Sequence, residues 1–135
     1  MGCVHVVHPP VTVPFPTGTH ARVEYAAALQ AALREQLATA CLPEGTLTTQ
    51  IVSLEQPAVL TGAAGLSFAD DLVMTIAATF TDQHGQQRWK GTVTARARAY
   101  KPDDQQWYAH IFARARRDVC YDGARHIIEQ LTKQV

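Results

Sequence analysis

Four basic side chains recur on one face of a predicted strand, and they are the residues of this chain best suited to binding chemistry. In chain order they are Arg88, Lys90, Arg96 and Arg98. Cationic groups at two-residue spacing share one side of a strand and can bind anionic groups by charge-assisted hydrogen bonds. Solvated charge on an exposed strand is the competing interpretation, because Lys and Arg also discourage edge pairing. Any functional hypothesis must rest on what this basic face can bind.

A catalytic site would need a different arrangement, which the sequence does not indicate. The candidate acid–base pairs combine a histidine with an aspartate, namely His84 or His110 with Asp70, Asp71 or Asp82. No spacing in the chain requires such a contact, no serine sits in a nucleophile elbow, and no glycine-rich phosphate loop precedes a helix. The histidines and cysteines lack paired metal-ligand spacing. We therefore predict no enzyme activity, catalytic residue, cofactor or metal.

The basic face belongs to a predicted hairpin from Leu72 to Tyr100. Apolar residues alternate with threonines on its first strand, which is the period of a half-buried strand. Asp82-Gln83-His84-Gly85 supplies a turn. On the second strand Trp89, Val93 and several alanines occupy the side opposite the basic residues. The hairpin should thus have one face in the core and one polar, basic face.

The remaining elements follow from helical stripes, β-branched runs and turn residues. We predict, in order, a strand near Val11 to Phe15, a helix from about Ala21 to Ala40, a strand from Thr46 to Leu54, a loop from Pro57 through Gly65, and a closing helix from about Val119 to Lys133. The segment before that helix is ambiguous. Its apolar residues fit the helical period, which predicts a helix from about Gln105. They also alternate in the way that predicts a strand from Trp107 to Arg116.

These elements define an α+β fold. We expect a two-layer β-α-β-β-β-α arrangement, with or without one more strand, in which two helices cover one face of a mainly antiparallel sheet. Residues 1–16 form a tether and the start of the first strand, and residues 17–135 form a single domain.

The composition argues against binding to nucleic acid and against a membrane-spanning helix. The 12 basic residues balance the 12 acidic ones, so no global field favours nucleic acid, and we predict no nucleic-acid binding. No apolar run approaches the roughly 20 residues that a membrane-spanning helix needs.

The three cysteines allow two hypotheses. Gly2-Cys3 matches the small residue and cysteine at which a bacterial lipoprotein is lipidated, although an ordinary start with an incidental cysteine fits equally. Cys41 and Cys120, placed at the end of the first helix and in the last one, are a possible disulfide or two buried thiols.

The order of these elements resembles that of small outer-membrane lipoproteins of the LptE type. The Gly2-Cys3 start, the helix segment Leu33-Arg34-Glu35-Gln36-Leu37, the threonine-rich hairpin, its basic second strand and the closing helix carry the likeness. The resemblance implies a non-enzymatic, lipid-anchored protein on the periplasmic face of the outer membrane. It also implies a role as partner and plug of an LptD-like β-barrel in lipopolysaccharide transport.

The same resemblance assigns lipopolysaccharide phosphates to the basic face. It implies that Arg88 and Lys90, beside the hairpin turn, are the main phosphate-binding residues and that Arg96 and Arg98 are further ones. It also implies that Cys3 is the lipidation site. The segment from Phe80 to Gly91 also resembles the hairpin of periplasmic scaffold or activator lipoproteins of the LpoB or CsgG kind. That alternative keeps the anchor but changes the partner, and a small-ligand domain or enzyme is a further alternative.

Overall fold

Five strands and two helices account for the regular structure of the residues that the computed structural model describes, namely 11–18, 22–61, 67–100 and 108–134. Their bounds are β1 Val11–Thr12, α1 Val23–Leu37, β2 Gly45–Glu55, β3 Ala58–Thr61, β4 Ser67–Asp82, β5 Gln87–Tyr100 and α2 Tyr108–Gln134. The predicted α+β class is confirmed.

The sheet is built around β4, the longest strand. β2 and β3 lie end to end along one edge of β4, and β5 pairs with the other edge, all antiparallel. β1 pairs with β2 in the parallel sense, through Val11 opposite Gly45. Helix α1 is therefore the crossover of a β-α-β unit, and the rest of the sheet is antiparallel, as predicted.

The hairpin of β4 and β5 has the predicted turn. The backbone N–H of Gly85 donates to the carbonyl of Asp82 at 3.0 Å, and the Asp82 carboxylate accepts the N–H groups of His84 and Gln86 at 2.9 and 3.0 Å. Gly85 has φ +81°, a left-handed conformation that glycine adopts without steric cost. The turn residues thus fix the register of both long strands.

One apolar cluster joins both helices to the same face of the sheet. Its fully buried members include Leu29 and Leu33 of α1, Val119 and Ile127 of α2, and Phe80 of β4. The opposite face carries the threonines and basic residues, whose side chains are half-buried on β4 and mostly exposed on β5. The prediction of two helices on one face of the sheet is confirmed.

Helix α2 packs closely against the sheet at Gly123. A Cβ atom built there would lie 2.6 Å from Cδ1 of Ile76 and 3.3 Å from Cβ of Ala95. One residue earlier, the Asp122 carboxylate accepts the backbone N–H of Arg96 at 3.2 Å. Because this N–H lies on the edge of β5 that faces away from β4, the helix covers part of that edge.

Three sequence expectations are corrected. Helix α2 begins by Tyr108, so the strand alternative for residues 107–116 is wrong, because the apolar residues follow the helical period. Ala58–Thr61 forms β3 where we expected a loop, since this short run continues along the β4 edge after Pro57. β1 ends at Thr12, two residues before Pro14, and prolines cannot donate to a strand ladder.

Neither helix in the described part of the chain is both long and apolar enough to cross a membrane.

Candidate functional site

The four predicted site cations all lie on β5, but the structure separates them into two pairs. Arg88 and Lys90 adjoin the hairpin turn, and Arg96 and Arg98 lie near the other end of the strand. Six residue steps of extended chain separate Lys90 from Arg96, which is about 20 Å. We call the first two the turn pair and the last two the distal pair.

Arg88 of the turn pair occupies an irregular position in the hairpin. Phe80 pairs with Trp89 and Thr81 with Gln87, so Arg88 is the extra residue of a β-bulge. Its side chain is 52% exposed, and its guanidinium lies 3.9 Å from the Asp82 carboxylate. Such a long, exposed ion pair leaves the donors of Arg88 available to another anion.

Asp82 is already engaged by the turn itself. The backbone N–H of Gln86, together with that of His84, lowers the pKa of Asp82, against a smaller raising effect of desolvation. The carboxylate is therefore ionised near neutral pH and is held in place by backbone donors. It orients the turn more than it neutralises Arg88.

Lys90 is the other exposed member of the turn pair. None of the ion pairs among residues 22–61, 67–100 and 108–134 includes its ammonium group. It lies opposite Thr79 and is followed on the same face by Thr92. A cation flanked by hydroxyl groups can bind a phosphate by charge and by neutral hydrogen bonds together.

The distal pair has a different electrostatic setting. Nε of Arg98 donates to Oδ1 of Asp71 at 2.9 Å, between residues that are direct cross-strand partners. The hydrogen bond from Arg98, followed by the charges of Arg98 and Arg96, lowers the pKa of Asp71 although desolvation opposes this. The distal pair therefore shares one carboxylate, and its net charge is smaller than the sequence indicates.

Asp71 is the site residue that sequence reasoning missed. The aspartate was considered only as a partner for a histidine, not as a partner for Arg98. The sequence carried no clear signal for this pair, because a count outward from the turn, where Thr81 pairs with Gln87, would place Asp71 opposite Ala97. The bulge at Arg88 shifts the register by one residue and brings Asp71 opposite Arg98. Strand register thus divides the basic face into a less neutralised and a more neutralised half.

The cysteine arrangement corrects a prediction. Cys120 is free and buried, and its Sγ donates to the carbonyl of Tyr25 at 3.5 Å. Cys41 is disulfide-bonded, but not to Cys120, so the possible Cys41–Cys120 disulfide is wrong, and the alternative of a buried thiol holds for Cys120 but not for Cys41. The reason is position: Tyr25 lies near the start of α1 and Cys41 follows its end, a distance of about 20 Å along the chain.

The predicted lipidation site, Cys3, lies outside the described residues, as does the rest of the tether before Val11.

A groove of about 1030 Å³ runs between α1, α2 and the distal part of β5. Alanines such as Ala28 and Ala31 alternate along it with groups of both signs, including Glu35, Arg117 and Asp118. Such balanced charge favours no single class of small ligand.

Asp122, at one side of this groove, links helix α2 to strand β5 by hydrogen bonds and ion pairs. Burial would raise its pKa, but the hydrogen bonds from the Arg125 side chain and the Arg96 backbone outweigh burial and lower it. The Arg125 guanidinium lies 2.7 Å from the Asp122 carboxylate and 3.2 Å from that of Glu129. The Asp122 carboxylate is thus ionised, and its ion pair with Arg125 lies on its own helix.

In the described ranges, no three His, Cys, Asp or Glu side chains lie close enough together to hold a metal ion. His84 approaches Asp82 through its backbone N–H in the turn. The geometry there accounts for a stable turn.

Comparison with known proteins finds similarity in structure but not in sequence. No family model and no curated protein matches the chain. Among solved structures, a protein provisionally described as a lipoprotein, from Caulobacter crescentus CB15, is similar with a TM-score of 0.66 at 14% identity, over 93% of this chain and 89% of that one.

Two further structures show the same similarity. Rare lipoprotein B from Shewanella oneidensis has a TM-score of 0.58 at 11% identity, over 91% of this chain and 93% of that chain. Lipoprotein B from Nitrosomonas europaea has a TM-score of 0.55 at 16% identity, over 98% and 91% of the two chains. At such identities the comparison establishes a shared fold, which spans nearly the whole of each protein.

Proposed function

We propose that this chain is a lipid-anchored lipoprotein of the outer membrane that assists lipopolysaccharide transport as partner and plug of an LptD-like β-barrel. It acts without catalysis, and its anchor is Cys3. Two lines of support agree. The sequence resembles LptE-type lipoproteins in element order, and the fold is similar over nearly its full length to proteins that are described as lipoproteins.

The single observation that carries the ligand assignment is the turn pair. Arg88 and Lys90 are exposed beside a rigid turn, and the nearest carboxylate, that of Asp82, is held by backbone donors. Lipopolysaccharide carries phosphates, and Arg binds phosphate in bidentate geometry while Lys binds it as a compact charge. The distal pair would contact lipopolysaccharide more weakly, because Arg98 already forms an ion pair with Asp71.

The anchor assignment can be tested directly by mass. A cysteine sulfur that carries a lipid thioether cannot also belong to a disulfide. The intact mass of the protein from bacterial envelopes distinguishes a diacylglyceryl addition from the loss of two hydrogens. A lipidated mass supports the proposal, and a non-lipidated disulfide mass refutes the anchor.

The ligand assignment is tested by charge removal at matched positions. The test protein is Arg88→Ala with Lys90→Ala, and the control is Arg114→Ala with Arg117→Ala, which removes equal charge from exposed sites on α2. Binding of purified lipopolysaccharide should weaken about tenfold or more in the test protein, since two charge-assisted contacts are lost. The control should bind like the wild type.

Equal binding by the two double variants would reject the turn pair as the ligand site. Thermal unfolding should differ little among the three proteins, because exposed cations contribute little to stability. The scaffold alternative, in which the chain serves another envelope assembly, predicts partner binding without any response to lipopolysaccharide.

A further inference from the structure

The start of the described chain and the hairpin turn lie at the same end of the sheet. Val11 pairs with Gly45, and Gly45 pairs with Asp82 at the edge of the turn. Two strand spacings separate the first and last of these residues, which is about 10 Å. The turn pair begins six residues beyond Asp82.

The direction of β1 determines at which end of the sheet an N-terminal tether would join the domain. From Val11 the chain runs parallel to β2, away from the turn, and reaches Thr17, whose N–H and carbonyl bond to Thr49 and Ile51. The chain therefore enters the sheet at the turn end. Eight residue steps separate Cys3 from Val11, and they span at most about 29 Å.

The opposite end of the sheet is much further from this entry point. Glu55, at the end of β2, lies ten residues beyond Gly45, or about 33 Å along the strand. A domain held by a short tether at the turn end can stand with that end toward the membrane or lie on its side. Charge decides between these orientations, because anionic lipid headgroups attract cations within about one Debye length.

The exposed cations at the turn end favour the first orientation. Arg88 and Lys90 lie there, and α2 runs from the distal part of β5 toward the turn, so Lys133 in its last turn adds a third cation. The carboxylate of Asp82 is held by the turn, and Glu44 is an exposed acid at this end. The end is thus basic on balance.

We propose that the turn end of the domain faces the anchoring membrane, and that Arg88 and Lys90 bind the phosphates of anionic phospholipid headgroups there. This inference rests on the proposed lipidation of Cys3. It adds an orientation to the proposed function: the same side chains that would receive lipopolysaccharide phosphates are presented at the membrane surface, so the ligand need not be captured from solution.

The test uses the lipidated protein in vesicles of phosphatidylethanolamine and phosphatidylglycerol that contain a headgroup-attached spin-label quencher. A fluorescent amino acid is placed at position 83 in the turn or at position 55 at the other end of β2, both exposed. We expect several-fold stronger quenching at position 83. With Arg88→Ala and Lys90→Ala the preference should fall, whereas Arg114→Ala, at the opposite end, should preserve it.

The outcomes separate this inference from the proposed function. Equal quenching at the two positions, or stronger quenching at position 55, would overturn the orientation, and so would a preference that persists in vesicles of phosphatidylcholine alone. Lipidation by mass and lipopolysaccharide binding by the same variants are measured independently. If both of these succeed while the quenching preference is absent, the function stands and the orientation is wrong.

Discussion

Arg98 and Asp71 form a 2.9 Å hydrogen-bonded ion pair between direct partners on the two long strands. This pair divides a basic face that looks uniform in sequence. Toward the turn, Arg88 and Lys90 have no comparable partner among the described residues, whereas at the distal end Arg98 is neutralised. Anion binding is therefore expected to centre on the turn end of β5, and Asp71 limits the contribution of the distal end.

The first prediction concerns the titration of Asp71. Arg98 lowers its pKa, so Arg98→Gln should raise the pKa toward the usual range of a carboxyl group. The chemical shift of the Asp71 carboxyl carbon, followed by NMR as the pH is lowered, measures this directly. Asp82 is the internal control, because backbone donors hold its pKa low, and its titration should not move.

The same pair gives a pH dependence of stability with a definite sign. A carboxyl group whose pKa is lower in the folded protein stabilises it above the unfolded pKa, and this stabilisation disappears as the pH falls through the folded value. The stability difference between wild type and Arg98→Gln should therefore shrink in acid. A difference that is constant from neutral pH to below the titration of Asp71 would contradict the ion pair.

The second prediction concerns the turn. At Gly85 a Cβ atom would meet nothing within 4 Å, but φ is +81°. Gly85→Ala should therefore lower the free energy of unfolding by about 1 kcal/mol through backbone strain alone. Gly85→Asn should recover part of that loss, because Asn tolerates this conformation. Urea denaturation measures both, and equal stability of the two variants would argue against the left-handed turn.

The third prediction concerns Cys120. Burial raises the pKa of its thiol to about 12, with Arg116 opposing the effect. At pH 8 about one molecule in ten thousand would then carry the reactive thiolate. A thiol reagent should label Cys120 extremely slowly in the folded protein and rapidly in urea. Rapid labelling without denaturant would show that the thiol is not buried against Tyr25.

The fourth prediction concerns the contact of α2 with the sheet. Gly123→Val would place new methyl groups where Ile76 and Ala95 already lie, and overpacking of this kind costs about 1 to 3 kcal/mol. The matched control is Gln130→Val, an exposed position on the same helix that carries only the cost of a β-branched residue. Equal losses at the two positions would mean that the helix does not approach the sheet closely.

The sequence predicted those elements that repeat a local pattern over many residues. The hairpin was predictable because Met74, Ile76 and Phe80 keep a strict period of two, and its turn has the residues that a turn requires. Near Trp107 both periods fit equally, so local pattern could not decide between helix and strand. Packing decided it, since the helix buries Ala115 and Val119 in the common core.

Tertiary contacts account for the features that local sequence patterns did not predict. A glycine within a helix lowers its intrinsic propensity, yet Gly123 is a place where the last helix closely approaches the sheet. The short β3 exists because β4 extends beyond β2 and offers a free edge. The possible Cys41–Cys120 disulfide does not form, because two helices on one sheet face need not bring their cysteines to the same end.

The most direct test of the proposed function is to identify what this protein binds in its membrane. The full chain, expressed behind a native lipoprotein signal, is purified from detergent-solubilised envelopes, and the proteins that accompany it are identified by mass spectrometry. The proposal predicts recovery of an LptD-like β-barrel at near-equal abundance, with bound lipopolysaccharide. Recovery of a different envelope assembly, or of no partner at all, would contradict it.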